Sequence, residues 1–372
     1  MNQYLALNDS KFINAELGEL RQSLKQYNAK IRADMEHGII LINADATYGA
    51  VSNAISKSIY VSSIMEVSTV VNAARCGDMV SALAEIIGRH GNARFMLEVK
   101  RIGSTISDSA KAIEVCLGSA LEAQGFKADL KTPEIKVGIV LAGSTAYMGI
   151  LDSNMRLDYF RNSANAAFLN RAEYKIDEAF KFFGIKIRSG VVLDIGASPG
   201  GWTDFLLANG FNVIAIDGAL LRYEKLKAHG SMAVVCRNGD SSAASSAEKS
   251  GANCISEDND ASIAECSKTC RLVHIKLPVC AESLRIIGLM PKFDAMFIDA
   301  NTSPEQSASF MKSLLPFMKH GSLVVMTIKL IDYDISGHIS SVTESIGSAC
   351  SSVRIKKLPH NRRELTMLAE LK

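Results

Sequence analysis

Apolar and polar positions along the chain alternate between strand-like runs and helical spacing. Tyr4–Leu7 reads as a short strand, and Asn14–Gln26 carries Leu17, Leu20 and Leu24 on one helical face. Gly38–Asn43 (GIILIN) predicts a buried strand, Tyr48–Ser58 a helix, and Ile59–Val67 another strand. That β-α-β-α-β order over residues 1–70 suits a ferredoxin-like packing. A second unit spans residues 71–152. It has a helix over Asp78–His90, a strand over Ala93–Arg101, and a long helix capped at Ser107-Asp108 and ending near Gly125. Strands are expected at Lys127–Leu130, Ile135–Ala142 and Ala146–Ile150.

Residues 153–172 are polar and read as a linker. The remainder, 173–372, shows the strand–helix alternation of a doubly wound α/β sheet. Its strands fall at Val191–Asp194, Val213–Asp217, Ala295–Asp299, Ser322–Ile328, Ser352–Lys356 and Leu365–Leu368. The stretch 238–269 is rich in Ser, Ala and Asn. It has too little apolar content to bury much surface, and is expected to be a mobile insertion or a loosely packed excursion.

Composition adds bounds. The length of 372 residues favours two or three domains, and 48% hydrophobic residues suffice for ordinary cores. No apolar run approaches membrane-spanning length and no secretory signal is visible, so a cytoplasmic protein without a membrane partner is expected. Eight cysteines are compatible with reduced thiols. Cys266 and Cys270 could form half of a zinc site, but no second close pair stands nearby, and no metal is expected. A net charge of +2 does not announce a nucleic-acid binder, so local basic patches must carry that argument.

The most informative stretch is Val191–Leu206, VVLDIGASPGGWTDFL. A buried strand ends in Asp194. A glycine turn then runs through Gly196, Ser198, Pro199, Gly200 and Gly201 into a helix that opens with Trp202. Such a strand–turn–helix makes a nucleotide-type pocket at the end of a parallel sheet. It lacks both the dinucleotide spacing and the Lys-Ser/Thr of a phosphate loop. It resembles motif I of the class I methyltransferases, and Ser-Pro-Gly-Gly-Trp resembles the FtsJ-like RNA ribose methyltransferases. The run from Phe95 to Gly143 (FMLEVKRIGSTISDSAKAIEVCLGSALEAQGFKADLKTPEIKVGIVLAG) resembles a THUMP domain, which implies RNA binding, to rRNA or to tRNA.

The resemblance implies S-adenosylmethionine as cofactor, RNA as partner with no DNA, and a Lys-Asp-Lys-Glu tetrad. Arg171-Ala172-Glu173-Tyr174-Lys175-Ile176-Asp177-Glu178 matches the pattern that precedes motif I and gives Lys175. Asp299 ends the strand FDAMFID, counted as the sheet's fourth, although Ala300-Asn301 departs from the family's Asp-Met-Ala-Pro. Lys329 ends GSLVVMTIK, and Asn361-Arg362-Arg363-Glu364 supplies Glu364. A ribose hydroxyl is a very weak acid. A lysine kept partly neutral, or one that orients the oxygen, is a better device for it than a bare carboxylate.

For the cofactor, Asp194 and Gly196–Gly201 are expected at the methionine portion. Asp217 is expected at the ribose, with a loop-capping role as the alternative, and Asp240 is the candidate for adenine. Trp202 packs either under the glycine turn or as an ordinary core aromatic. RNA contacts are expected from Lys100, Arg101, Lys127 and Lys131 as one cationic edge. A second patch is Arg354, Lys356, Lys357, Arg362 and Arg363 beside Glu364. The loop after Asp299 is not the Asn/Asp-Pro-Pro-Tyr of amino-group methylases, which argues for an oxygen target. A tRNA base methyltransferase and a non-catalytic RNA-binding protein with a degenerate pocket are the alternatives.

Overall fold

The computed structural model describes residues 1–7, 12–55, 57–61, 63–151, 171–226, 230–331 and 334–372. The expected linker lies outside them as far as residue 170. The chain divides into two compact units, Met1–Ala164 and Asn165–Lys372.

The first unit holds two four-stranded sheets. One is built from β1 (Asn2–Leu7), α1 (Ile13–Ser23), β2 (Lys30–Asp34), β3 (Ile39–Ala44), α2 (Tyr48–Ile55) and β4 (Ser63–Glu66). Its order is β2-β3-β1-β4 with every pair antiparallel, the ferredoxin-like β-α-β-β-α-β arrangement. Strand β2 is the element missing from the expected order. Its sequence, KIRAD, is polar at alternate positions because it is an edge strand with no fully buried residue, so no apolar run betrays it. Leu20, Leu24, Val51 and Ile55 pack on Tyr4, Ala6, Ile40 and Ile42.

The other sheet comprises β5 (Thr69–Asn72), α3 (Cys76–Gly88), β6 (Phe95–Ile102), α4 (Ala110–Glu122), β7 (Ile135–Ala142) and β8 (Thr145–Leu151). Its order is β5-β8-β7-β6, and only β6 and β7 run parallel. Strand β5 straddles the expected boundary at residue 70 and pairs wholly within this second sheet. Helix α4 is capped by Ser109, whose hydroxyl accepts from Ala112 N at 3.1 Å, rather than by Ser107-Asp108. The strand expected over Lys127–Leu130 reduces to one bridge between Phe95 and Ala128.

The second unit is a nine-stranded sheet. Its elements are α5 (Arg171–Phe183), β9 (Gly190–Ile195), α6 (Gly201–Ala208), β10 (Phe211–Ile216), β11 (Met232–Cys236), α7 (Ser241–Ser250), β12 (Asn253–Ser256) and α8 (Asp260–Thr269). They continue with β13 (Leu272–Ile275), α9 (Ala281–Ile287), β14 (Phe293–Ile298), α10 (Pro304–Leu314), β15 (Met318–Lys329), α11 (Ile335–Ile346), β16 (Cys350–Lys356) and β17 (Glu364–Leu371). The order is β12-β11-β13-β10-β9-β14-β15-β17-β16, and only β17 runs antiparallel to its neighbours. Strand order reverses between β9 and β14, so their carboxyl ends flank the crevice where doubly wound folds bind ligands.

The Ser-rich stretch is not a loose insertion. It forms α7, β12 and α8, and β12 extends the sheet beside β11. Asp240 and Asn259 cap the two helices. Ala243 and Ala247, one turn apart, are small enough to let α7 pack closely, and they join the main core. Strand β14 is therefore the sixth strand of this unit, not the fourth.

Candidate active site

Four charged side chains meet at the carboxyl edge of β14 and β15. Asp299 follows β14 directly, and its backbone N–H donates to Ile195 O at 3.0 Å. Lys329 ends β15, and the antiparallel register of β17 sets Glu364 directly opposite. Lys175 comes from α5, whose inner face also buries Ile176, Ala179 and Phe180. Lys175 Nζ lies 2.6 Å from Asp299 Oδ2 and 3.2 Å from Glu364 Oε1, the latter an ion pair without hydrogen-bond alignment. Lys329 Nζ lies 2.9 Å from Asp299 Oδ1 and 2.6 Å from Glu364 Oε2. Two lysines thus alternate with two carboxylates in a closed ring. Thr327 Oγ1 donates to Asp299 Oδ1 at 2.9 Å, a contact that sequence reasoning missed.

The ring is mostly buried, and Lys329 is its most open member at 18%. Burial pushes Asp299 up, but the adjacent Lys175 and Lys329 outweigh it and hold the carboxyl below its ordinary range. For Lys329, burial works downward, yet Asp299 and Glu364 prevail and lift the ammonium above the usual lysine range. The expectation of a partly neutral lysine is thereby corrected for Lys329. It faces two carboxylates and is held as a cation.

The glycine turn is a close-approach device. Gly196 has φ +77°, and a Cβ there would stand 2.6 Å from Ala300 Cα and 2.8 Å from Ala300 N. Gly200, at φ +116°, caps α6. Asp194 is fully buried; Thr203 Oγ1 donates to its Oδ2 at 2.6 Å while Oδ1 has no partner. Burial, then the charges of Asp299 and Asp217, overcome the Thr203 bond and raise this carboxyl to about 7.

Asp217 follows β10, and its oxygens accept from Ser198 N at 3.0 Å and Ala219 N at 2.8 Å. It ties the glycine turn to the next loop, the capping alternative, and its carboxylate retains further acceptor capacity. Ser198 Oγ donates to Leu220 O, and Arg222 N to Pro199 O, both at 3.0 Å. Behind this loop His274 is wholly buried on β13. Tyr223 O–H donates to its Nδ1 at 2.5 Å, and its Nε2 lies 3.3 Å from Asp217 O. Burial lowers this histidine to about 4, so it is neutral. A histidine in the apolar strand LVHI was the available signal.

Trp202 is a core aromatic. It is buried, packs edge-on against Phe297 with centroids 6.3 Å apart, and donates its indole N–H to Ala172 O at 2.8 Å. The Lys175 ammonium lies 6.0 Å from its ring centroid, so Trp202 supports α5 at the tetrad.

Asp240 follows β11, which is not the strand beside β10. β13, not β11, neighbours β10, so Lys276, Leu277 and Pro278 follow the strand beside Asp217. The Asp240 carboxylate caps α7 and pairs with Lys276 at 2.6 Å, which holds it far below its ordinary range.

The basic patches are also revised. Lys127 O accepts from Phe95 N at the start of β6, whereas Lys100 and Arg101 stand at its end, about 16 Å away at strand spacing. Lys127 therefore lies by the opposite end of the edge strand β6 from Lys100 and Arg101. Lys356 and Lys357 are buried: one ammonium sits 5.1 Å from the Phe182 ring centroid, and the other donates to Asn361 O. Exposed Arg354 docks on Phe183, donating to its carbonyl at 3.0 Å. Arg362 and Arg363 remain as exposed cations beside Glu364. No helix among the described residues is long and apolar enough to cross a membrane.

Residues 168–314 match the family model of the FtsJ-like methyltransferases. A ribosomal RNA large subunit methyltransferase M from Shewanella halifaxensis is 32% identical over 157 residues, covering 38% of this chain and 43% of the relative. A ribosomal RNA large subunit methyltransferase E from Thermoplasma acidophilum is 37% identical over 67 residues, 18% of this chain and 33% of that one. The chain thus spans less than half the length of either relative. Among solved structures, TrmN from Thermus thermophilus is 14% identical with a TM-score of 0.36, covering 100% of both chains.

Proposed function

We propose that this protein is an S-adenosylmethionine-dependent RNA methyltransferase acting on a ribose 2′-hydroxyl. The observation that carries the reading is the closed ring of Lys175, Asp299, Lys329 and Glu364 beside the β9/β14 crevice. The FtsJ-like match over residues 168–314 and the rRNA methyltransferase relatives support it.

The residues present fit the cofactor. The unpartnered, buried Asp194 Oδ1 suits an amine, and the Gly196 turn packs directly on the Ala300 backbone next to Asp299. Asp217 would accept from the ribose hydroxyls, and Ser198–Gly201 would surround the methionine portion. S-adenosylmethionine, when bound, supplies an electrophilic methyl group on a sulfonium.

Lys329 in its cationic form donates a hydrogen bond to the target oxygen and fixes the direction of its lone pair. Asp299 holds both ammonium groups, and Glu364 closes the ring on its other side. As the hydroxyl oxygen gains the methyl as a third substituent and the methyl–sulfur bond breaks, its O–H becomes strongly acidic and releases its proton to water, so alignment matters more here than a strong base. Arg362 and Arg363 would guide substrate phosphates, and the second sheet of the first unit, with its THUMP-like sequence, would capture structured rRNA or tRNA.

The test is methyl transfer from labelled S-adenosylmethionine into separate pools of unmodified tRNA and rRNA, followed by nucleoside digestion. A labelled 2′-O-methyl nucleoside from wild type alone, and not from Lys329→Ala, is expected. A labelled base would favour the amino-group reading and overturn this one.

A further inference from the structure

One buried carboxylate beside the tetrad takes no part in it. Glu178 lies three residues after Lys175 on α5, on the same inner face, and is fully buried. Both its oxygens are spent on a single residue: His360 N–H donates to Oε2 at 3.0 Å, and His360 Nδ1 donates to Oε1. The other side of the His360 ring stacks on Tyr174, with centroids 4.8 Å apart and planes 15° apart. Tyr174 immediately precedes Lys175, and His360 stands four residues before Glu364.

The loop between them is laced internally. Asn361 Oδ1 accepts from Leu358 N and from Thr366 Oγ1, each at 3.0 Å, and Leu330 N donates to Arg363 O at 2.8 Å. The loop therefore moves with whatever holds His360. A buried carboxylate is expensive unless each oxygen is satisfied, and here satisfaction requires one ring orientation and one backbone position. Burial raises Glu178 above the ordinary carboxylate range, so the His360 bonds do not repay its desolvation in full. A side chain kept at such a cost for stability alone would be better replaced by an apolar one.

We propose that Glu178 is a positioning residue which, through His360, holds the 357–363 loop so that Glu364 meets Lys175 and Lys329. One helix then delivers a catalytic lysine and also anchors the strand that brings its carboxylate partner. The proposal rests on the tetrad reading above.

The test compares Glu178→Ala and Glu178→Gln with wild type by hydrogen exchange, S-adenosylhomocysteine affinity, thermal unfolding and single-turnover methyl transfer. For Glu178→Ala, exchange is expected to quicken in peptides covering 357–364, with the glycine-turn peptides and cofactor affinity unchanged. The transfer rate at saturating RNA and cofactor should fall at least tenfold. Glu178→Gln, which still accepts from His360 N–H, should recover most of both effects.

Unchanged exchange over 357–364 in Glu178→Ala would overturn the proposal. So would a rate loss matched by faster exchange throughout the unit and not rescued by Gln, which would mark a purely structural role. If wild type methylates neither RNA pool, the proposed function fails, while the exchange data still decide whether Glu178 holds the loop.

Discussion

Lys329 and Glu364 are direct register partners across β15 and β17, and their charged atoms stand 2.6 Å apart. Antiparallel pairing therefore presents the lysine and carboxylate together at the crevice. The same ammonium reaches Asp299 at the end of the parallel neighbour β14. Removing it should cost chemistry and leave the cofactor turn intact. Lys329→Ala is expected to slow single-turnover transfer by on the order of 10²–10⁴-fold. S-adenosylhomocysteine affinity by calorimetry should stay within about twofold of wild type. A normal rate would remove Lys329 from the mechanism.

The protonation state of that lysine gives a second prediction. Asp299 is held below, and Lys329 above, their ordinary ranges, so both stay ionised throughout the neutral region. If Lys329 acts as a cation, the single-turnover rate at saturating cofactor should be nearly flat from about pH 6 to 9. Loss is expected only at more alkaline pH, as the ammonium deprotonates. A general base that had to be neutral would instead give a rise of roughly tenfold per pH unit. A pH–rate profile distinguishes the two by slope alone.

Gly196 tests the close approach of the turn. Its φ of +77° costs about 1–3 kcal/mol for a residue with a side chain. The added Cβ would also overlap the Ala300 backbone at 2.6 Å. Backbone cannot give way as a flexible side chain can. Gly196→Ala should lower the melting temperature and weaken S-adenosylhomocysteine binding more than tenfold, whereas Gly239→Ala, where φ is also positive but nothing lies within 4 Å, should affect stability only.

Three of the tetrad were legible because each closes or opens an element whose apolar run is plain: Asp299 after FDAMFI, Lys329 after SLVVMTI, Glu364 before LTMLAEL; Lys175, inside α5, was legible only from the residues around it. Strand order was not legible, since it depends on pairing between distant segments. β13 stands between β10 and β11 and so separates Asp240 from the strand that leads to Asp217. Burial of Lys356 and Lys357 was equally hidden. A lysine ammonium can sit over an aromatic ring or donate to a buried carbonyl, and local sequence does not say so. The Ser- and Ala-rich stretch misled for another reason. Caps at Asp240 and Asn259, with alanines spaced for close packing, make helices from a composition that resembles a loop.

Asp194 links stability to pH in a direction opposite to most carboxylates. An aspartate in the unfolded chain releases its proton near 3.8, whereas buried Asp194 keeps it to about 7. Between those values the folded state binds the extra proton, so stability falls as pH rises through the window, and the full penalty is present above about 7. Asp194→Asn carries no such charge. Its melting temperature, measured from about pH 5 to 8, should therefore fall less than that of wild type, with the two curves diverging toward pH 8. Cofactor binding should run the other way. An ionised Asp194 attracts an amine, so wild-type affinity for S-adenosylhomocysteine should strengthen as pH rises through about 7, and the Asn variant should bind more weakly with little pH dependence. Parallel melting curves for the two proteins would show that Asp194 does not titrate in this window.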